Sequence, residues 1–278
     1  MSEIWLPSGA KRITDIKKNV QLGIIGPSGA GKTHSIRQLG LDPEYAGKVL
    51  VLASEDPSIV LGDESDVIVK QIDSLAGIEQ EFKDLRLAAR NGRTIPEVIV
   101  WDSTSGTCDR ERDKLKREKG ADTYAGYWDL GAGVMSCMIM GRNDIPADVI
   151  VLATTTPPPM PELCVDGKMT PKNFTRLTDV CLFITSEKIT PEGGISPTAL
   201  AEFESNPLPY IEVARGLDGK VMGSFLRHIY TTQNTGEVPA KGHHNLNLVE
   251  PADLPNLLRK LHGKPTVEWW RGVSLEGR

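Results

Sequence analysis

The chain has 278 residues, a formal charge of -5, 39% hydrophobic and 25% charged residues, a composition that belongs to an ordinary globular protein and excludes a fibre or a disordered polyelectrolyte. The acidic balance argues against a basic coat for duplex DNA, which draws on many Lys and Arg contacts to phosphate. No apolar run approaches the roughly 18–20 residues that span a bilayer, and the opening MSEIWLPSGAKR lacks a secretory stretch, so a cytoplasmic protein with no membrane partner is expected.

Residues 20–25 form a short apolar run ending in Gly-Pro, which reads as a buried strand. A Gly-rich loop follows, then a helix from Lys32 to about Leu39. Residues 48–53 make a second β-branched run and 66–71 a weaker third. Over 78–91, Ile78, Phe82, Leu85 and Ala89 recur at spacings of three and four, which predicts an amphipathic helix. Residues 97–102 are apolar and then abruptly acidic. A charged helix is expected over 108–119 and another near 129–141, with strands over 149–154 and 179–185. Near-continuous apolar strands alternating with helices predict an α/β fold: a mostly parallel central sheet flanked by helices on both faces.

Five prolines between 157 and 171 predict a long exposed loop. Residues 210–215 and 221–230 flank an Asp-Gly turn, which predicts a late antiparallel pair. Beyond Gln233 the chain reads as polar and irregular until a short helix over 252–261 and then Trp269-Trp270. The expected organisation is an N-terminal segment at 1–19, a core at 20–232 and a small C-terminal extension at 233–278. Cys108, Cys137, Cys164 and Cys181 lie far apart with no CxxC pair, which predicts reduced, packed thiols. His34, His228, His243-His244 and His262 show no metal spacing and read as surface.

Gly26-Pro27-Ser28-Gly29-Ala30-Gly31-Lys32-Thr33 matches GxxxxGK[ST] between a predicted strand and a predicted helix, the context that confirms a phosphate-binding loop. Glycines permit positive φ and close backbone approach, so that successive N–H groups face phosphate oxygens at a positive helix end. In that reading Lys32 neutralises the β- and γ-phosphates of ATP and Thr33 ligates Mg²⁺. Asp102, at the end of the 97–102 strand, is the expected second metal ligand. The competing reading is an Asp that caps the turn into Ser-Thr-Ser. Glu55, ending the second strand in LVLASEDP, is positioned to orient or deprotonate an attacking water, with Asp56 as its rival. Thr154, Thr155 and Thr156 end the fourth strand, where a hydroxyl such as that of Thr155 can reach the nucleotide.

At these residues the sequence resembles the RecA superfamily, and within it the short phage-type RecA-like recombination ATPases that accompany single-strand annealing proteins. The match is carried by GPSGAGKT at 26–33, VLASEDP at 51–57, VIVWDSTS at 98–105 and VIVLATTT at 149–156. It covers about residues 20–190, and more loosely reaches 232. The resemblance implies a RecA-like core, a DNA-stimulated ATP hydrolase in the host cytoplasm of a phage, and a homo-oligomer, ring or filament, on single-stranded DNA. It places DNA-contacting loops at 117–128 and 157–173, where Lys119, Lys168 and Lys172 can meet phosphate and Tyr124, Tyr127 and Trp128 can stack on bases. It also implies a cation reaching a neighbour's nucleotide from the late antiparallel strand, with Arg215 first, Lys220 second and Arg176 third. Two other functions fit a phosphate loop: a phosphotransferase acting on a small substrate, and an ATP-binding regulatory or scaffold protein that docks partners through Trp269-Trp270.

Overall fold

A computed structural model describes residues 19–119, 124–156, 171–205, 208–215, 220–233, 240–243 and 245–270. Its strands are β1 (Gln21–Gly26), β2 (Val49–Ala53), β3 (Ile68–Gln71), β4 (Val98–Asp102), β5 (Asp148–Thr154), β6 (Val180–Ile189), β7 (Ile211–Arg215), β8 (Val221–Thr231) and β9 (Val249–Pro251). Its helices are α1 (Lys32–Leu41), α2 (Ser58–Leu61), α3 (Leu75–Arg90), α4 (Thr104–Lys119), α5 (Tyr124–Asp144), α6 (Pro171–Leu177), α7 (Pro197–Ser205) and α8 (Leu254–Leu261). Among these residues no helix is long and apolar enough to cross a membrane.

The strands build one sheet in the order β3-β2-β4-β5-β1-β6-β8-β7, with β9 paired to β8. From β3 to β6 all pairings are parallel, and β8 then runs antiparallel to β6, β7 and β9. The fold is therefore α/β, a mostly parallel central sheet flanked by helices with late antiparallel strands, as the sequence pattern predicts. The alternation of side chains along a strand explains why these strands read as continuous apolar runs. Ile99, Trp101, Val149 and Val151 join Phe82, Val134 and Met138 from α3 and α5 in one core. Val98, Val100, Ile150 and Leu152 join Ile36 and Leu39 of α1, with Leu257 and Leu258 of α8, in the other. Cys108, Cys137 and Cys181 are buried free thiols, while Cys164 falls outside the described residues.

Several elements depart from the sequence pattern. Helix α3 starts at Leu75 because the Ser74 hydroxyl caps it by accepting the Gly77 N–H. Segment 117–128 is largely helical rather than a loop: α4 runs to Lys119 and α5 begins at Tyr124. Helix α5 extends over the aromatic stretch because Leu130, Val134, Cys137 and Met138, at helical spacing, seat it on the core. Of the second expected DNA loop, 157–170 lie outside the described residues, Lys168 included. Residues 171–173 instead open α6, with Pro171 in the first position that tolerates a missing N–H.

The tail is not irregular up to its helix. Lys241 bridges to Cys181, and β9 pairs with β8. Helix α8 packs on α1, where the Gln38 side chain donates to the carbonyls of Pro209 and Ala252 and accepts the Leu254 N–H. Trp269 is 5% exposed and its indole donates to Asp253, the cap of α8, so it is not available as a docking surface. Arg259, 4% exposed, donates 2.7 Å to the fully buried Asp42 and 2.9 Å to Glu44. Removing one partner of a buried pair strands the other charge, so Arg259→Leu is expected to lower unfolding free energy by about 3–5 kcal/mol. Urea denaturation checks this, and a loss below about 1 kcal/mol would be the surface-pair value instead.

Candidate functional site

The carboxyl ends of β1, β2, β4 and β5 meet at the start of α1. Gly26 closes β1 where a Cβ would sit 2.5 Å from the Ile184 carbonyl of neighbouring β6, so only glycine fits. The chain then turns through Gly29 at φ 75° and Gly31 at φ 93°, conformations that an L side chain disfavours. Gly31 caps α1 without a side chain, and the first turn of the helix holds no acid, so its N–H groups meet no competing anion. A Cβ at Gly29 would meet nothing within 4 Å, which leaves the crest of the loop open. Lys32 is 9% exposed and its Nζ donates to the carbonyls of Gly26 at 2.9 Å and Pro27 at 2.8 Å, so the ammonium is held over the loop.

Asp102 follows Trp101 on β4, and alternation turns it to the α1 face while the Trp101 indole donates to Thr107 on the other. There its Oδ2 accepts the Thr33 hydroxyl at 2.9 Å, joining the two expected metal ligands. Burial pushes the Asp102 carboxyl above its ordinary value, opposed by the Thr33 hydrogen bond and the Lys32 ammonium and reinforced by the Glu55 charge. A carboxylate under that pressure is suited to a cation. The capping role that competed for Asp102 belongs to Ser103, whose Oγ accepts the Gly106 N–H in the first turn of α4.

The other hydroxyls of the Ser-Thr-Ser run stitch the strand tips together, a role the sequence reading missed. Thr104 donates to the Leu152 carbonyl, and Ser105 accepts the Thr154 N–H. Ser54 ties β2 to β4: its N–H donates to the Asp102 carbonyl at 2.7 Å, and its Oγ accepts the Ser103 N–H at 3.3 Å. Glu55 stands next, exposed at the tip of β2 and close enough to Asp102 to act on it electrostatically. Asp56 is differently engaged. Its carboxylate accepts the Ser58 N–H as the chain enters α2, and that hydrogen bond holds it below its ordinary value. Thr155 donates its N–H to the Gly26 carbonyl, while its hydroxyl is buried with no hydrogen-bond partner among the described residues.

These features fit a nucleotide with Mg²⁺. Among the described residues no three His, Cys, Asp or Glu side chains are grouped to cage a metal, and Mg²⁺ asks for less: one or two protein oxygens, with phosphate and water completing the octahedron. Thr33 and Asp102 supply that pair, and Thr155, whose hydroxyl is the orphaned one, is tied by its N–H to Gly26 at the start of the same loop. The expected finger residues lie elsewhere. Arg215 is exposed at the end of β7, three strands out from β1, and Lys220 and Arg176 are also exposed.

Histidines that the sequence reading dispersed over the surface come together here. His228 on β8 is 5% exposed, and His34 follows Thr33 in α1. Both ring Nε2 atoms approach Glu212 Oε1 of β7, at 3.4 and 3.5 Å. His262 pairs with Asp148. No spacing in the sequence signals these contacts, because each joins elements distant in the chain.

No family model and no curated protein matches the sequence. Among solved structures, the chain is similar to a prototypical ATPase from the type III secretion system of pathogenic bacteria, at 14% identity and TM-score 0.39, covering 68% of this chain and 54% of that one. It is also similar to the assembled ATPase EscN of the enteropathogenic E. coli type III secretion system, at 14% identity and TM-score 0.41, covering 60% and 43%. The chain thus spans about half the length of these proteins. A likeness at this level carries no function across.

Proposed function

We propose that the chain is a Mg²⁺-dependent ATP hydrolase with a RecA-like core at 20–232 and an extension at 233–278 packed on α1. The observation that carries this is the 2.9 Å contact between Thr33 and Asp102 beside the phosphate loop. It brings a hydroxyl from the helix and a carboxylate from a separate strand to one point, as metal-assisted phosphoryl chemistry needs. In this reading the backbone of residues 26–33 and Lys32 bind the phosphates, Thr33 and Asp102 hold the metal, Thr155 touches the nucleotide, and Glu55 orients and deprotonates water.

The finer reading rests on the sequence resemblance: hydrolysis stimulated by single-stranded DNA in phage-type recombination or replication. It includes an oligomer in which Arg215 reaches a neighbouring nucleotide and a single-strand annealing protein as partner. Phosphate release with Mg²⁺ and ATP, measured with and without single-stranded DNA over a range of protein concentrations, tests both levels. Release is expected to need Mg²⁺, to rise with concentration and to rise at least about tenfold with DNA, a modest share of the 10³–10⁵ that a completed finger supplies in other NTPases. No Mg²⁺-dependent release under any condition would end the hydrolase reading. Release indifferent to DNA would leave an ATPase of another purpose.

A further inference from the structure

The phosphate loop is backed by a fixed ring. A Cβ at Gly31 would lie 3.0 Å from His228 Nδ1, which places the imidazole in van der Waals contact with the loop. That Nδ1 is hydrogen-bonded to Ser186 Oγ of β6 at 2.8 Å, and Nε2 lies 3.4 Å from Glu212 Oε1 of β7. The same carboxylate oxygen is 3.5 Å from His34 Nε2 in the first turn of α1, and the two rings stack with centroids 6.0 Å apart. Arg37, one turn along α1, pairs with Glu64 and also acts electrostatically on Glu212. Three late strands thus converge on one imidazole: Ser186 holds Nδ1 by a hydrogen bond and the Glu212 carboxylate faces Nε2 without one, so turning the ring gives up the Ser186 contact.

We propose that His228 is a positioning residue for the phosphate loop, holding Gly31 and the start of α1 in the shape that accepts triphosphate. The inference rests on the ATP-binding reading above. Gly31 has no side chain with which to limit its own backbone, and its φ of 93° is one of many that glycine can visit. A rigid wall beside it lowers the ordering that nucleotide binding must otherwise impose, which is how a supporting shell acts on affinity rather than on chemistry. Because Glu212 sits on β7, three residues before its far end at Arg215, the same contacts link the loop to the strand that carries the proposed finger.

The test is a fluorescent-nucleotide titration with Mg²⁺ on the full chain, paired with steady-state turnover and thermal unfolding. His228→Leu keeps apolar bulk but neither polar contact, and is expected to raise the ATP Kd and KM about tenfold while kcat stays within about twofold. His228→Asn, whose amide reaches the region of Nδ1 and Ser186, is expected to restore affinity to within about threefold of wild type. An unchanged Kd in His228→Leu overturns the proposal, as does a loss that Asn fails to rescue and that follows the unfolded fraction. Should the leucine variant not fold, Ser186→Ala and Glu212→Gln decide instead: wild-type Kd in both overturns it, and a severalfold rise in either supports it. Wild type and Lys32→Ala run in the same titration separate the two levels. A wild type that binds no nucleotide sinks the ATP reading and this one with it, whereas a wild type that binds as well as His228→Leu sinks the positioning role alone.

Discussion

Lys32→Ala is expected to remove measurable ATP turnover, lowering it by about 10²–10³ or more, and to weaken Mg-ATP binding by roughly tenfold to a hundredfold. Lys32 is nearly enclosed and is held over the loop by the Gly26 and Pro27 carbonyls, so its charge sits in a site with little water to screen it. A charge-assisted hydrogen bond there is worth about 1.5–3 kcal/mol in the ground state. The larger loss in turnover follows because charge builds on the transferring phosphoryl oxygens, where a preorganised cation acts most strongly. Structure alone costs less: two carbonyls near the open loop lose a donor, about 1–2 kcal/mol in unfolding free energy. Isothermal binding and phosphate release on the same preparation check the prediction. Turnover at the wild-type rate would mean that positions 26–33 do not cradle the reacting phosphates.

The parallel half of the sheet was legible because its strands are buried on both faces, so apolar runs mark them without ambiguity. The candidate site was legible for a related reason: in such a sheet the chemistry collects at the carboxyl ends of strands, and Gly26 and Asp102 each follow directly on an apolar run, with Thr155 two positions past another. What could not be read was held by long-range contacts. The Ser-Thr-Ser run after Asp102 looks like a turn in sequence, yet Ser103 caps α4 while Thr104 and Ser105 fasten β5, the last two roles set by residues 48 and 49 positions on in a strand that pairs with β4. His228 looked like one more polar residue of a half-exposed strand until β6, β7 and α1 surrounded it. The same holds for the tail, whose polar composition hid Arg259 and Trp269: Asp42 meets Arg259 only once α8 lies on α1, and Asp253 meets Trp269 only once the chain folds back along α8.

Glu55→Gln should separate binding from chemistry. The glutamate is exposed at the tip of β2, held in register with Asp102 by the Ser54 bridge, and among the described residues carries no structural hydrogen bond of the kind that engages Asp56 with Ser58. Exchanging its carboxylate for an amide keeps size and leaves the loop, Thr33 and Asp102 as they are, so Mg-ATP affinity is expected to stay within about threefold, or to tighten as repulsion of the polyanion falls. The amide is a poor proton acceptor, so the chemical step should slow by about 10²–10⁴, the usual range for a lost general base. Single-turnover hydrolysis beside a binding titration reads the two quantities independently. Asp56→Asn is the matched control: it disturbs the entry into α2 and should leave the single-turnover rate within about twofold of wild type. If the two variants exchange places, with Asp56→Asn stopping hydrolysis and Glu55→Gln turning over normally, then the water is held from the α2 side of the tip and the Ser58 contact is given up when substrate binds. If neither variant slows the step, no acid on this strand handles the water, and the β2 tip serves only to brace Asp102.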